Sequence, residues 1–245
     1  MKIGVFSDVH ANLEALEACL ARYEKEGVHD FIYCGDTIGY GPDPEACVQK
    51  IKSLPLRACV LGNHDAVFVQ PEMEALFNKE ARNSLNQNKQ TLSEESIRFL
   101  TGLPAFVHSS EFSVAHGTPA DPIKEYLLRR DQFLSNYPLW EGQICFVGHT
   151  HLPFFMEGTA DFCHVGVNKS EDLTIPLLDG KRYIINPGAV GKPRDHNTHT
   201  SFGIWDTEAH TFRFLREPYD LDITLRKMEE QGLPSFLISS LTLGL

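Results

Sequence analysis

The chain has 245 residues, 42% of them hydrophobic and 22% charged, which supplies a sizeable core and excludes large-scale disorder. Its formal net charge is −11 and no run of Lys or Arg interrupts the acidity, so nucleic acid is a disfavoured partner. A small phosphorylated substrate remains open to an acidic chain where divalent cations make a pocket locally positive.

The apolar stretch at Ile3–Phe6 is too short for a signal peptide, and no later run approaches the ~18 apolar residues of a membrane span. A cytoplasmic protein without a membrane partner is expected. Six cysteines are present but no Cys-x-x-Cys pair, and Cys34, Cys59 and Cys145 sit in apolar runs. They are expected to be reduced, mostly core residues.

The first 65 residues alternate as a parallel sheet with crossover helices does. Ile3–Phe6 reads as a strand. Leu13, Leu16, Leu20 and Tyr23 then mark one face of a helix that Asn12 is placed to cap. Phe31–Cys34 and Ala58–Leu61 read as the next strands, and between them Asp43-Pro44 reads as an N-cap with proline at N1, opening a helix through Ile51.

From about residue 66 to 104 the chain is polar and lacks strand signals, with a helix expected from Ser93 to Gly102; this reads as an inserted helical cap within one domain spanning 1–245. Strands are expected again at Phe112–Ala115, Ile144–Val147 and Phe162–Val167. Helices are expected at Lys124–Phe133 and Asp222–Gln231, and a type I′ hairpin turn at Asp179-Gly180.

Five short segments follow apolar runs: Asp8-Val9-His10, Gly35-Asp36, Gly62-Asn63-His64-Asp65, His116-Gly117 and Gly148-His149-Thr150-His151. They bring carboxylate, amide and imidazole donors to expected strand ends, with Asp8, Asp36 and Asn63 spaced 28 and 27 residues apart. In an open α/β sheet that edge is where ligands bind. The donor mixture suits Mn, Fe, Co, Ni or Zn better than Ca or Mg. Two such ions share a bridging carboxylate and a bridging hydroxide, and Asp36 is the candidate bridge. Of eleven histidines, five fall at motif positions; His29, His108, His164 and His210 read as core or surface residues.

These segments resemble the calcineurin-like metallophosphoesterase superfamily. Gly35-Asp36-Thr37-Ile38-Gly39-Tyr40-Gly41-Pro42 and Asn186-Pro187-Gly188-Ala189-Val190-Gly191-Lys192-Pro193-Arg194-Asp195 are similar to its small bacterial phosphodiesterase and phosphatase branch, described as related to diadenosine tetraphosphatases. The resemblance implies an αββα sandwich of two mixed sheets. It implies that Asp8, His10, Asp36 and His151 hold one metal while Asp36, Asn63, His116 and His149 hold the other. His64 is then similar to the family's general acid, which protonates the leaving oxygen or stabilises phosphoryl charge.

The protein Ser/Thr phosphatase branch carries Asp-Arg-Gly after its Gly-Asp and Glu after its Asn-His. Here Ile38-Gly39-Tyr40 and Asp65 stand instead, which speaks against that branch. Ala189 occupies a position where the close branch often has serine. Asp65 is open to a capping or a catalytic role. Arg194 reads either as a solvated loop arginine or as a phosphate-binding fork, and Tyr40 either stacks on substrate or packs its loop.

The expected activity is hydrolysis of a small phosphodiester or phosphomonoester, nucleotide types included, by a metal-bridging hydroxide with His64 assisting. Two divalent ions per chain are expected as cofactors, Mn in vitro. The rival readings are a non-catalytic scaffold of this fold and a nuclease. Scaffolds typically lose ligands, and a nuclease wants a basic path.

Overall fold

Alternation in the first strand, β1 (Lys2–Phe6), sends Ile3 and Val5 to one face and Phe6 to the other, and both faces are buried. A strand buried on both sides belongs in the middle of a layered α/β structure. The computed structural model, which describes residues 1–245, has that arrangement. Helix α1 (Leu13–Lys25) follows, capped by the Asn12 side chain, which accepts from the Ala15 N–H at 3.1 Å. Then come β2 (Asp30–Tyr33), α2 (Pro44–Lys52) and β3 (Leu56–Cys59), with β1, β2 and β3 mutually parallel.

Residues 65–101 hold no strand: short 3-10 turns at Asp65–Phe68 and Pro71–Leu76 lead into α3 (Lys79–Thr91) and α4 (Glu94–Thr101). Ser93 caps α4 as its sequence position predicts. The second half runs β4 (Phe106–His108), β5 (Phe112–Ala115), α5 (Arg130–Asn136), β6 (Ile144–Phe146), β7 (Pro153–Thr159) and β8 (Phe162–Val167). It ends with β9 (Asp172–Pro176), β10 (Arg182–Pro187), β11 (Thr200–Asp206), β12 (Thr211–Glu217), α6 (Leu221–Glu230) and α7 (Ser235–Leu243).

Two mixed sheets of six strands result, in the orders β3-β2-β1-β11-β12-β9 and β4-β5-β6-β10-β7-β8. Ile3, Val5 and Ile32 of the first meet Val114, Phe146 and Ile185 of the second in the core between them. The outer face of the first sheet packs on α1 and α2 through Phe6, Leu16 and Ile51; that of the second packs on α5 through Phe133. The layers are therefore αββα, and every motif segment leaves the carboxyl end of β1, β2, β3, β5 or β6.

Three local expectations fail, the last two for reasons outside their own sequence. The helix expected over Lys124–Phe133 begins only at Arg130, because the Gln132 side chain takes the N–H groups of Leu128 and Arg129 at 2.9 and 3.0 Å. Residues 124–129 instead run without helix past His149. Asp179-Gly180 does turn, with Gly180 at φ +75°, but it joins β9 of one sheet to β10 of the other and makes no hairpin. Asp43 sits at the N-cap position of α2 without capping it: its carboxylate is drawn to Lys227, 2.8 Å away.

Candidate metal centre

The loops that leave these strands hold unusual backbone. Asp8, His10, Asp36, His149 and His151 all have left-handed φ, from 47° to 68°, as do Ala11 and Tyr40; His196 and His210 are the other non-glycine cases. Such residues are uncommon and each costs roughly 1–3 kcal/mol, so they persist where surrounding bonds over-determine them. Here the bonds run from loop to loop: His10 N–H to Asp36 C=O, Gly148 N–H to His116 C=O and Gly191 N–H to Asp8 C=O. Gly62 is required by close approach, since a Cβ there would lie 2.1 Å from Asp36 Oδ1.

Main-chain carbonyls orient the imidazoles. His10 Nδ1 faces Ile38 C=O at 2.9 Å, His116 Nδ1 faces Cys34 C=O at 2.8 Å and His151 Nδ1 faces Lys192 C=O at 2.6 Å. Each of these nitrogens therefore carries a hydrogen, which turns Nε2 inward as the candidate ligand atom. His149 is turned the other way, with Nε2 on Lys124 C=O at 3.1 Å and Nδ1 left to face inward.

The inward nitrogens converge. His10 Nε2 and His151 Nε2 are 3.0 Å apart, and His116 Nε2 is 3.2 Å from His149 Nδ1 and 3.0 Å from Asn63 Oδ1. Asp8 Oδ1 lies 3.4 Å from His151 Nε2, while its carboxylate accepts the His149 N–H. Asp36 Oδ2 stands between the two groups, 3.5 Å from His10 Nε2 and 3.2 Å from His116 Nε2; Asp36 Oδ1 is occupied by the His64 N–H at 2.9 Å. All seven candidate ligands are buried.

Electrostatics sharpen this. Burial pushes His10 and His151 well below the usual imidazole pKa and His149 down to about 3, so these rings are neutral with lone pairs turned on one another. Burial alone would lower His116 too, yet the Asp36 charge lifts it. Asp36 is held below the ordinary carboxylate range, against its burial, chiefly by His116. Burial, with the charge of Asp36 added, raises Asp8 to about 7.

Facing acceptors about 3 Å apart repel unless a cation stands between them, and two donors each ~2.1 Å from one ion take that spacing at right angles. The donor set fits two transition-metal ions: Asp8, His10, Asp36 and His151 cluster as one group, and Asp36, His116 and His149 as a second. Asn63 adds an amide oxygen beside the latter.

Residues 1–210 match the calcineurin-like phosphoesterase superfamily domain. The chain belongs to that superfamily. An uncharacterised protein of Methanocaldococcus jannaschii is 34% identical to it over 251 residues, spanning 99% of this chain and 98% of its own. A metallophosphoesterase of Sphaerobacter thermophilus, known as a crystal structure, is 35% identical with TM-score 0.87 and 100% of both chains covered. A hypothetical protein of Pyrococcus horikoshii, 17% identical, shares the fold with TM-score 0.81 over 100% of this chain and 98% of its own.

Around the phosphoesterase centre, His64 stands apart from the ligands. Its ring packs 4.4 Å from Phe77, 4.7 Å from Tyr40 and 4.8 Å from His10 (centroid distances), and its buried Nδ1 has no protein partner. Burial pushes its pKa down to about 4. Asp65, its neighbour, caps nothing: the carboxylate accepts the N–H groups of Thr37 and Ile38 at 3.0 and 3.2 Å and so braces the loop after Asp36. Tyr40 is edge-on to His10, and Arg194 donates to the Tyr40 hydroxyl at 3.3 Å.

Sequence reasoning overlooked four contributors. Tyr126 stacks flat on His149, 3.8 Å between centroids and 11° between planes, and Lys124 supplies the carbonyl that turns His149. Lys192 holds His151 through its carbonyl. Asn88 of α3 accepts the Gly39 N–H at 2.7 Å and donates to Gly41 C=O at 3.0 Å, tying that helix to the loop of Tyr40. Asn88→Leu strands both main-chain groups, so it should cost roughly 1–3 kcal/mol of stability, read as a lower urea midpoint. An unchanged midpoint would mean that the brace is dispensable.

Proposed function

We propose that this phosphoesterase is a dinuclear metal-dependent hydrolase of small phosphodiesters or phosphomonoesters, nucleotide types included. The observation that supports it most is Asp36: one carboxylate oxygen faces both ligand groups while the other is tied down by the His64 N–H. When bound, two divalent ions supply a water of lowered pKa and neutralise phosphoryl charge.

The chain's own residues do the rest. The carbonyl-anchored imidazoles fix the reacting geometry, since their tautomers and ring planes are set before substrate arrives. Water gives up one proton to solvent and adds to phosphorus, the P–O bond to the leaving group breaks, and the leaving oxygen takes a proton. His64, beside the ligands and aimed at none of them, is the group we assign to that proton; the charge of a bound phosphate favours its protonated form and offsets the effect of burial. Arg194 and Tyr40 contact the substrate. Residues 66–104 form the roof over it within a single domain.

No helix is long and apolar enough to cross a membrane, and a cytoplasmic site of action is our reading of that together with the unpaired cysteines. Of the rivals, the scaffold reading is opposed by the full ligand set and the nuclease reading by the net charge of −11.

Exhaustive chelation should abolish turnover of bis-p-nitrophenyl phosphate, and Mn should restore it. Undiminished turnover with metal absence verified by elemental analysis would exclude the proposal.

A further inference from the structure

Beside the metal centre lies a cavity of about 530 Å³, a size within the usual range of small-molecule sites, roughly 300–1,000 Å³. Tyr40 and Tyr126 form its inner wall, and their rings rest on His10 and His149 at 4.7 and 3.8 Å between centroids. The cavity is therefore continuous with the ligand groups.

Its outer wall is apolar. Of the large hydrophobic side chains that the fold leaves exposed, Leu76, Tyr126, Phe236, Leu243 and Leu245 all line this one cavity, Leu76 at 66% and Phe236 at 61% exposure. They arrive from segments far apart in the chain: the turn Pro71–Leu76, the run past His149, and α7 with the residues after it. Single exposed hydrophobics need no explanation, but a contiguous group marks a binding surface. Helix α7 carries no charged residue and exposes Phe236 and Leu243 while burying Leu237 and Leu241. A helix apolar all round asks for cover on every side.

Most polar groups on the walls are already engaged. Asn78 Oδ1 accepts the Ala81 N–H at 2.8 Å, Ser240 donates to Leu237 C=O at 2.9 Å, and the buried Lys192 ammonium donates to the main-chain oxygen of Leu245. Arg194 stands at the inner end, where it donates to the Tyr40 hydroxyl and its charge acts on Asp8, His10, His64 and His151. The cavity thus grades from a guanidinium beside the centre to an apolar mouth.

We infer that this cavity takes the alcohol side of the substrate and that Leu76 and Phe236 select phosphoesters of apolar alcohols, alkyl or aryl, over those of polar ones. The inference rests on the phosphoesterase reading above and names the substrate class of that same site. The reacting phosphate sits at the ligand groups with Arg194 beside it, and the carbon skeleton runs outward past Tyr40 and Tyr126 to the mouth. A polar alcohol of equal length gives up its water there and gains no partner. Continuity with the centre is what favours a substrate group over a second copy of the chain or a membrane as the cover for these side chains.

Binding to the Mn-loaded full chain is read by calorimetry with n-alkylphosphonates from methyl to hexyl and with ω-hydroxyalkylphosphonates of matched length. Each added methylene should tighten binding roughly two- to fourfold, the worth of burying part or all of it, while the hydroxylated series stays nearly level. Phe236→Ser combined with Leu76→Gln should cut the hexyl-to-methyl ratio about tenfold. Both side chains are exposed, so these polar replacements leave the core alone, and Phe236→Leu, which keeps apolar area, should retain most of the ratio. The same ratios should appear in kcat/KM for the corresponding phosphate esters, carried by KM.

A level alkyl series, or a ratio untouched by the double variant, would overturn the inference while leaving the phosphoesterase reading in place. A level series together with a dimer in sedimentation, or with adsorption to phosphatidylcholine vesicles, that Phe236→Ser abolishes would overturn it too and give the face to a second copy or a membrane. A graded alkyl series with no turnover of any ester would instead remove the phosphoesterase reading.

Discussion

Asp36→Asn should bring turnover down to the level of the chelated protein, a loss of roughly 10³-fold or more, because the low-pKa nucleophile goes with the metals. The argument is geometric. Asp36 Oδ2 is 3.5 Å from His10 Nε2 and 3.2 Å from His116 Nε2, and Oδ1 accepts the His64 N–H at 2.9 Å. An asparagine has one oxygen for these two tasks. If its oxygen keeps the His64 N–H, an NH2 group points at both ligand groups. If the oxygen faces the ligands, two N–H donors collide at His64. Either way both groups lose the shared negative charge, whereas a change at His149 or His10 touches one group. Metal content by elemental analysis should fall for both ions together. Two ions per chain bound as tightly as in the wild type would show that Asp36 is not the bridge.

What was legible in the sequence was whatever short-range chemistry decides. The short apolar strand at Ile3–Phe6, the helical stripe of Leu13, Leu16, Leu20 and Tyr23, and the Asn12 and Ser93 caps are all settled within a few residues, and the structure has them. The clustering of candidate ligands was also readable, because parallel strands with crossover helices deliver their ends to one edge. What escaped is set by contacts across the fold. Residues 124–129, left out of the helix that Gln132 caps, take their place from a ring far along the chain: Lys124 C=O meets His149 and Tyr126 stacks on it, 25 and 23 positions away. The turn at Asp179-Gly180 has local hairpin chemistry, but sheet membership is decided by the pairing of β9 with β12 and of β10 with β6 and β7. Asn88 left one trace: asparagine is a poor helix former, and a buried one inside α3 asks for a partner outside the helix. Lys192 left none, since its carbonyl serves His151 and its ammonium faces a cavity built from distant segments.

His64→Ala should keep both metals and still lose roughly 10²–10⁴-fold in rate, the usual worth of general acid catalysis. The two halves of the outcome have separate causes. Metal retention is expected because no ring nitrogen of His64 belongs to either ligand group, and its link to Asp36 is a main-chain N–H that alanine keeps. The rate loss is expected because the ring is held beside those groups by Phe77, Tyr40 and Gly39, where a Cβ on Gly39 would lie 2.2 Å from His64 Nδ1. So close a fit positions an imidazole that burial holds neutral, down to about 4, until an anionic phosphate raises its proton affinity. An acid matters only where the leaving group needs a proton. The loss should therefore be large for an alkyl ester and small for a p-nitrophenyl ester, whose phenolate departs unaided. Equal loss on both substrates would make His64 a stabiliser of phosphoryl charge, and loss of metal would make it a ligand; either result removes it from the role of acid.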